Sequence, residues 1–457
     1  MTREQDLVPV RHGRMLVSPF TIYRGAAKFM AEDLRNPSRA GLDAQLCGDA
    51  HLSNFGVFAS PERLLLFDLN DFDETLPGPF EYDVLRMTAS FTIAARNNGF
   101  SASDARDVTL TAVRSYREAM ARFATMGVME IWYARLSEVE LRAAFQLAVG
   151  TQKGKAQRKA VEALGKNTRR NIAKARSRDS LQALSKLAEY VDGQYRIVSQ
   201  PPIVIPAREL LDRFGMSPDE TRDALRSQLR SYRSTLQDDR RHLLEQFQFV
   251  DMARKVVGVG SVGTRSFILL LEGRDEQDPL FLQVKEATAS VLEDHLPMSR
   301  YTQPGERVVQ GQRMMQAASD IHLGWTKGIQ DNRYLYWRQL RDMKGSAVIE
   351  AMQPLKMSMY ARAFGWTLAR AHARSGDPIA MAAYLGNSDK FDKSVADFSA
   401  RYAAQNDDDY ARFAEAVRGV GCRRWMGSDS ERSSTMCTAR SGGRVQPSDD
   451  ITCLIRV

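Results

Sequence analysis

Between Asp251 and Ala287 the chain is built to turn back on itself around glycine. Lys255-Val256-Val257 leads into Gly258-Val259-Gly260-Ser261-Val262-Gly263-Thr264-Arg265, and the apolar run Phe267-Ile268-Leu269-Leu270-Leu271 follows at once. That pattern predicts strand, glycine-rich turn and strand, an antiparallel hairpin. Glycine reaches positive φ without penalty and lets backbone N–H groups come close to phosphate oxygens. Gly258, Gly260, Ser261, Gly263 and Thr264 are therefore candidate nucleotide-binding residues. A Rossmann fingerprint is excluded because a strand, not a helix, follows, and a Walker loop because no Gly-Lys-Ser/Thr occurs. An ordinary tight hairpin is the simpler reading of the turn taken alone. Leu280-Phe281-Leu282-Gln283-Val284-Lys285-Glu286-Ala287 supplies a further strand, and Lys285 is a candidate for the α- and β-phosphates.

A second polar region runs from Cys47 to Asp83. Gly48-Asp49-Ala50-His51-Leu52-Ser53-Asn54 and Asp68-Leu69-Asn70-Asp71-Phe72-Asp73-Glu74 flank the strand-type run Arg63-Leu64-Leu65-Leu66-Phe67. Acidic groups at the mouths of such a hairpin-like unit can share a cation. Carboxylates and an amide oxygen are the hard ligands Mg²⁺ prefers, and phosphate oxygens and water complete its shell. The alternative is a surface loop, since Asp and Asn also suit turns.

These motifs carry a resemblance. The loop Gly48–Asn54 and the strand ending at Asp68 are similar to the catalytic and metal-binding loops of the aminoglycoside and choline phosphotransferases, in which Gly-Asp-x-His-x-x-Asn precedes an Ile-Asp-type strand end. The glycine-rich hairpin followed by a Lys-bearing strand resembles the protein-kinase arrangement. GDAHLSNFG, NDFDE, GVGSVGTR, LQVKEA and LARAHARSGD also resemble a bacterial family known as domain of unknown function 2252, up to about Gly421. The phosphotransferase resemblance implies Asp49 as catalytic base, Asn54 as metal ligand and Asp68 as the aspartate holding Mg²⁺ against the ATP phosphates. Asp71 and Asp73 compete for a second metal role. A helix over Arg307–Gln316 would stand where kinases place the glutamate that pairs the lysine, with Glu293 and Glu306 both available. One departure is Cys47, where the phosphotransferases carry His.

The order of the motifs is reversed from that of a kinase, whose glycine-rich lobe comes first. Too few residues precede Asp49 to build that lobe. The expected fold is therefore α+β, a protein-kinase-like two-lobed fold in circularly permuted order, with a largely helical large lobe and a small antiparallel sheet. Residues 1–249 would form the large lobe with the catalytic and metal loops, 250–345 the nucleotide lobe, 346–420 completing helices, and 421–457 a disordered or loosely packed tail. Permutation is allowed where termini lie at the surface and near each other.

Elsewhere the sequence mainly excludes. No run of about 18 apolar residues predicts a membrane helix, the opening residues do not read as a signal peptide, and Cys47, Cys422, Cys437 and Cys453 show no zinc spacing. A cytoplasmic location is the default expectation. A net charge of +8 suits phosphorylated or anionic ligands without demanding nucleic acid. The basic stretch Lys153–Arg178 lacks interleaved aromatics and reads as a solvated helical face rather than a base-reading surface. The residues through Leu16 read as extended or loosely attached. Arg24 and Lys28, four apart in a helix expected from Phe20 to about Leu34, read as a solvated basic face, with a phosphate contact as the alternative. Asp83 reads as a cap that holds the metal loop, and His372 as a packed helical histidine. The function expected is Mg²⁺-dependent ATP binding with phosphoryl transfer to a hydroxyl acceptor, a small molecule. The alternatives are a nucleotide-binding pseudoenzyme, a nucleotidyl transferase and, last, a basic nucleic-acid-binding protein.

Overall fold

The structure, a computed structural model, describes residues 3–35, 39–141, 170, 172–210, 217–328, 333–340 and 343–419. Three short helices open it: α1 (Val8–Met15), α2 (Pro19–Gly25) and α3 (Ala27–Asp33). Ser18 caps α2 by accepting from the Thr21 N–H, and Pro19 fills the first helical position. The helix expected through Leu34 is split, because Ala26 leaves helical geometry at φ −122° and ψ 42°. Lys28 consequently faces solvent and pairs with Asp294 at 2.8 Å, whereas the Arg24 Nε is buried. The opening segment is anchored, not loose. Leu7 and Val10 pack on Val256 and Val262, and the Glu4 N–H donates to the Gly263 carbonyl at 2.8 Å.

Two antiparallel pairs then form around the polar motifs. Strand β1 (Asp43–Leu46) pairs with β4 (Leu76–Pro79), and β2 (Phe55–Ala59) with β3 (Leu65–Leu69). Helices α4 (Glu81–Asn97), α5 (Ala102–Phe123) and α6 (Val128–Tyr133) follow, with Ser101 capping α5 through the Asp104 N–H.

The middle of the chain builds a sheet and its covers. Helix α7 (Ser180–Leu187) leads to the hairpin β5 (Ala188–Val191) and β6 (Gln194–Ile197), then to β7 (Val204–Pro206). A capping box at Ser217 and Glu220 starts α8 (Pro218–Arg233), and a break separates it from α9 (Asp238–Glu245). Strands β8 (Gln248–Lys255), β9 (Ser266–Glu272) and β10 (Pro279–Ala287) come next. Helix α10 (Pro304–Met315), β11 (Gly324–Lys327) and β12 (Tyr334–Gln339) complete the unit. The six-stranded antiparallel sheet has the order β11-β12-β10-β9-β8-β7.

Strand β9 alternates between two apolar faces, and each needs a cover. Leu269 and Leu271 meet Leu225, Leu229 and Tyr232 of α8, while Ile268 and Leu270 meet Ala183, Leu184 and Leu187 of α7. Helices α7 and α8, expected with the helical lobe, therefore cover the sheet, and β7 joins it directly.

Helices α11 (Pro354–Ala373), α12 (Pro378–Leu385) and α13 (Lys390–Gly419) return to the helical core beside α4 and α5. A Cβ at Gly365 would stand 2.3 Å from the Ala112 carbonyl oxygen, which shows how closely α11 lies on α5. The protein is α+β, as expected. Among the described residues no helix is long and apolar enough to cross a membrane. Residues 421–457 and most of Lys153–Arg178 lie outside the described residues.

Candidate functional site

The loop carrying Asp49 is held from beneath by α4. Asp83 accepts from the Cys47 N–H at 2.7 Å and the Gly48 N–H at 3.0 Å, the holding role anticipated for it. His372 Nε2 lies 3.3 Å from the same carboxylate, and the Tyr116 hydroxyl lies 2.8 Å from His372 Nδ1. Because Asp83 accepts, Nε2 carries the proton and Nδ1 takes the tyrosine's. Gly48 sits at φ +81°, and a Cβ there would meet the Glu74 carbonyl oxygen at 2.2 Å. Only glycine lets the two polar clusters close on each other.

Asp49 accepts from Arg86 Nε at 2.8 Å, and His51 Nε2 stands 3.6 Å from its other oxygen. Burial pushes the Asp49 carboxyl up to about 6, Arg86 pulls it back, and Asp71 and Asp83 add to the rise. His51 accepts from the Ser53 N–H at 3.1 Å through Nδ1, and burial, reinforced by Arg86 and Arg24, keeps its ring neutral. Asn54 Nδ2 donates to the Asp49 carbonyl at 2.8 Å, and the Asn70 N–H donates to the Asn54 carbonyl at 2.8 Å. The two mouths of the β2–β3 hairpin are thereby tied together.

Lys285 projects from β10 into the same region. Its Nζ lies 2.6 Å from Asp73 Oδ2 and 3.5 Å from Asp71 Oδ1, and 5.3 Å from the centre of the Tyr336 ring. Tyr336 donates its hydroxyl to Asp73 Oδ1 at 2.5 Å. Burial works to raise Asp73, but Lys285 and Tyr336 outweigh it and hold that carboxyl below its ordinary value. Asp71 is raised, by burial first and by the neighbouring Asp73 second, and its buried Oδ1 has no hydrogen-bond partner. Neither glutamate foreseen as the lysine's partner takes that place. Among the described residues the ion pairs of Lys285 go to Asp71 and Asp73. Glu293 instead accepts from the Ser290 N–H at 3.0 Å. What α10 offers the site is Arg307, which donates to the carbonyls of Thr75, Asp73 and Thr288, the last two at 2.8 Å.

Asp68 stands apart from this cluster. It is buried in β3, where Arg370 donates to Oδ1, the Leu69 N–H donates to Oδ1 at 2.9 Å and the Ala317 N–H to Oδ2 at 2.8 Å. Both oxygens are thus engaged. The glycine-rich turn joins β8 to β9, next to the lysine strand β10. Gly258 and Gly263 adopt φ +67° and +91°, and the Thr264 hydroxyl donates to the Ser261 carbonyl at 2.7 Å. The end of α2 lies against it, with the Arg24 carbonyl 3.4 Å from where a Gly260 Cβ would be.

A Mg²⁺ ion bound together with phosphate needs only one or two carboxylates. Among the described residues no group of three or more His, Cys, Asp or Glu is arranged to hold a metal alone. Asp71, with its orphaned oxygen, and Asp73 beside it fit that sparse donor set.

A profile described as "Uncharacterized protein conserved in bacteria (DUF2252)" matches residues 3–416. The chain belongs to the DUF2252 family. Comparison with curated proteins and with solved structures gave no match. The DUF2252 match spans both motif regions and every residue of the Lys285 cluster.

Several residues of this DUF2252 site were missed by sequence reading. Arg370 had a signal, as a charged residue on the apolar face of Leu368-Ala369-Arg370-Ala371-His372. Arg86 had the same signal within Val84-Leu85-Arg86-Met87. Tyr336 had none, because its meeting with Asp73 depends on the register of β12 against β10, where Tyr336 opposes Lys285.

Proposed function

We propose that this protein is a Mg²⁺-dependent, ATP-binding phosphotransferase acting on the hydroxyl group of a small acceptor. The observation that carries the reading is Lys285 held against Asp71 and Asp73, one strand away from a glycine-rich turn, with Asp49 on a braced loop nearby. A lysine, paired aspartates and a glycine-rich turn are the parts that position phosphates in kinases. The permuted kinase-like reading is supported by the sequence of elements: glycine-rich hairpin β8–β9, lysine strand β10, helix α10, then β11 and β12.

The side chains divide the work as follows. Lys285 exchanges part of its pairing with Asp73 for the α- and β-phosphates, and the N–H groups of Gly258, Gly260, Ser261, Gly263 and Thr264 cradle the phosphate chain. Asp71 and Asp73 hold Mg²⁺, with the Asn54 amide oxygen as a further donor. Mg²⁺ supplies neutralisation of the charge that develops on the phosphate oxygens. Asp49 accepts the proton of the acceptor hydroxyl, and Arg86 fixes the orientation of that carboxylate. Asp68, engaged by Arg370 and the Ala317 N–H, supports the strand that leads to Asp71 rather than binding metal itself.

The test is calorimetric titration with ATP, in Mg²⁺ and in chelator, of the native protein and of Asp71→Asn. Metal-dependent binding that is lost in the variant is expected. Absence of binding in both conditions overturns the proposal. Transfer of a γ-phosphate label, with adenine label left on the nucleotide, separates phosphoryl from nucleotidyl transfer.

A further inference from the structure

The amino-terminal arm brings arginines to the underside of the glycine-rich turn. Arg3 Nη1 donates to the carbonyls of Gly260 at 2.9 Å and Val262 at 2.6 Å, and Arg14 Nη1 to that of Gly258 at 2.5 Å. Arg11 Nη2 donates to the Gly25 carbonyl at 3.0 Å, and its Nε is buried without a partner. Arg24, at the end of α2, is different in kind. Among the described residues it makes no hydrogen bond and no ion pair, its Nε is buried, and its guanidinium lies 5.8 Å from the centre of the Phe20 ring.

Arg24 is partly buried, with its Nε shut off from water, and a guanidinium withdrawn from water without an anion loses hydration that nothing repays. Here burial lowers the pKa of Arg24, the charges of Glu350 and Asp49 oppose the fall, and Arg14 adds a smaller lowering. Asp49 is already paired with Arg86. Close to the turn, Arg11 is pushed down to about 9 by burial and by Arg3. Positive charge is therefore crowded where the backbone of the turn passes α2 and no carboxylate is bonded to Arg24. That is the electrostatic signature of a site whose counter-charge arrives with a ligand.

We propose that Arg24, with Arg14 beside it and the Gly258–Gly263 turn above, forms a subsite for a phosphate group next to the Asp49 loop. A planar guanidinium with free donors suits two phosphate oxygens at once. The subsite rests on the phosphotransferase reading only for the source of the phosphate, a nucleotide or a phosphorylated acceptor. Anion binding itself stands without that reading.

The test titrates inorganic phosphate, pyrophosphate and tripolyphosphate, without metal, into the full chain and into Arg24→Gln and Arg24→Lys. Native protein is expected to bind at least one of the three, Arg24→Gln at least tenfold more weakly, and Arg24→Lys in between. Without anion, Arg24→Gln should melt no lower than the native protein, and the anion should raise the native melting temperature but not the variant's. No binding by native protein, or binding unchanged in Arg24→Gln, overturns the subsite. Tripolyphosphate that displaces ATP supports the nucleotide's phosphate as ligand, and an anion that binds alongside ATP supports the acceptor's. If ATP fails to bind while Arg24-dependent anion binding persists, the subsite stands and the nucleotide reading falls.

Discussion

Lys285 and Asp73, separated by 212 positions, close a partly buried ion pair at 2.6 Å. The pair joins the six-stranded sheet to the polar loop that follows β3. Beside it Asp71 keeps a buried Oδ1 with no hydrogen bond, 3.5 Å from the lysine, whereas Asp68 is engaged separately by Arg370.

Asp71→Asn and Asp68→Asn should therefore fail in opposite ways. Asp71→Asn relieves repulsion against Asp73 and is expected to keep or raise stability while abolishing Mg²⁺-dependent ATP binding. Asp68→Asn leaves the Arg370 guanidinium buried without its counter-ion, at a cost of about 3–5 kcal/mol. Urea denaturation and calorimetry on both variants check the contrast. Equal loss of stability in the two would contradict it.

If Asp49 is the base, its deprotonated form is the active one. The transfer rate is then expected to climb with pH and level off above about 6, the value to which burial raises this carboxyl. Arg86→Met removes the charge that opposes the rise, so the climb should move to higher pH. A rate profile with the same midpoint in both proteins would exclude Asp49 from proton transfer.

Glu74 links the site to stability. Burial pushes its carboxyl from 4.5 up to about 7, although the Val291 N–H donates to it at 2.7 Å. Between those values the folded state holds a proton that the unfolded state releases, so stability falls as pH rises through the window. The contribution is fully present below about pH 4.5 and amounts to roughly 3 kcal/mol at most, taking about 1.4 kcal/mol per unit. Glu74→Gln keeps an acceptor for Val291 and should flatten that slope in denaturation curves measured from pH 4.5 to 8.

Gly48→Ala and Gly365→Ala probe two close approaches. At Gly48 the new methyl meets the Glu74 backbone at 2.2 Å with φ at +81°, so the Asp49 loop must shift and activity should be lost. At Gly365 it meets the Ala112 carbonyl at 2.3 Å between α11 and α5, and overpacking should cost about 1–3 kcal/mol with ligand binding kept in the folded fraction. Thermal melts with parallel binding assays separate the two.

Local chemistry made much of this legible in advance. The hairpin around Gly258–Gly263, the lysine strand and the bracing role of Asp83 follow from short-range rules of turn geometry, alternation and capping. The assignment among Asp68, Asp71 and Asp73 did not follow, since it depends on Arg370 and Lys285 arriving from distant elements. The boundary near residue 249 also escaped. Nothing local tells α7 or α8 to cover β9 rather than the helical core. Arg24 was hidden by the Ala26 break, which turned an apparent i, i+4 face into two unrelated ones.

Glu4 finds its hydrogen-bond partner at Gly263, and Arg3 at Gly260 and Val262. On a ribosome these first residues emerge long before the turn they clasp has been made. The arm must wait, undocked, through the synthesis of more than half the chain, and contacts of such long range form late. Docking of the arm is thus a closing event, and a change at Arg3 acts on the glycine-rich turn as directly as a mutation within it.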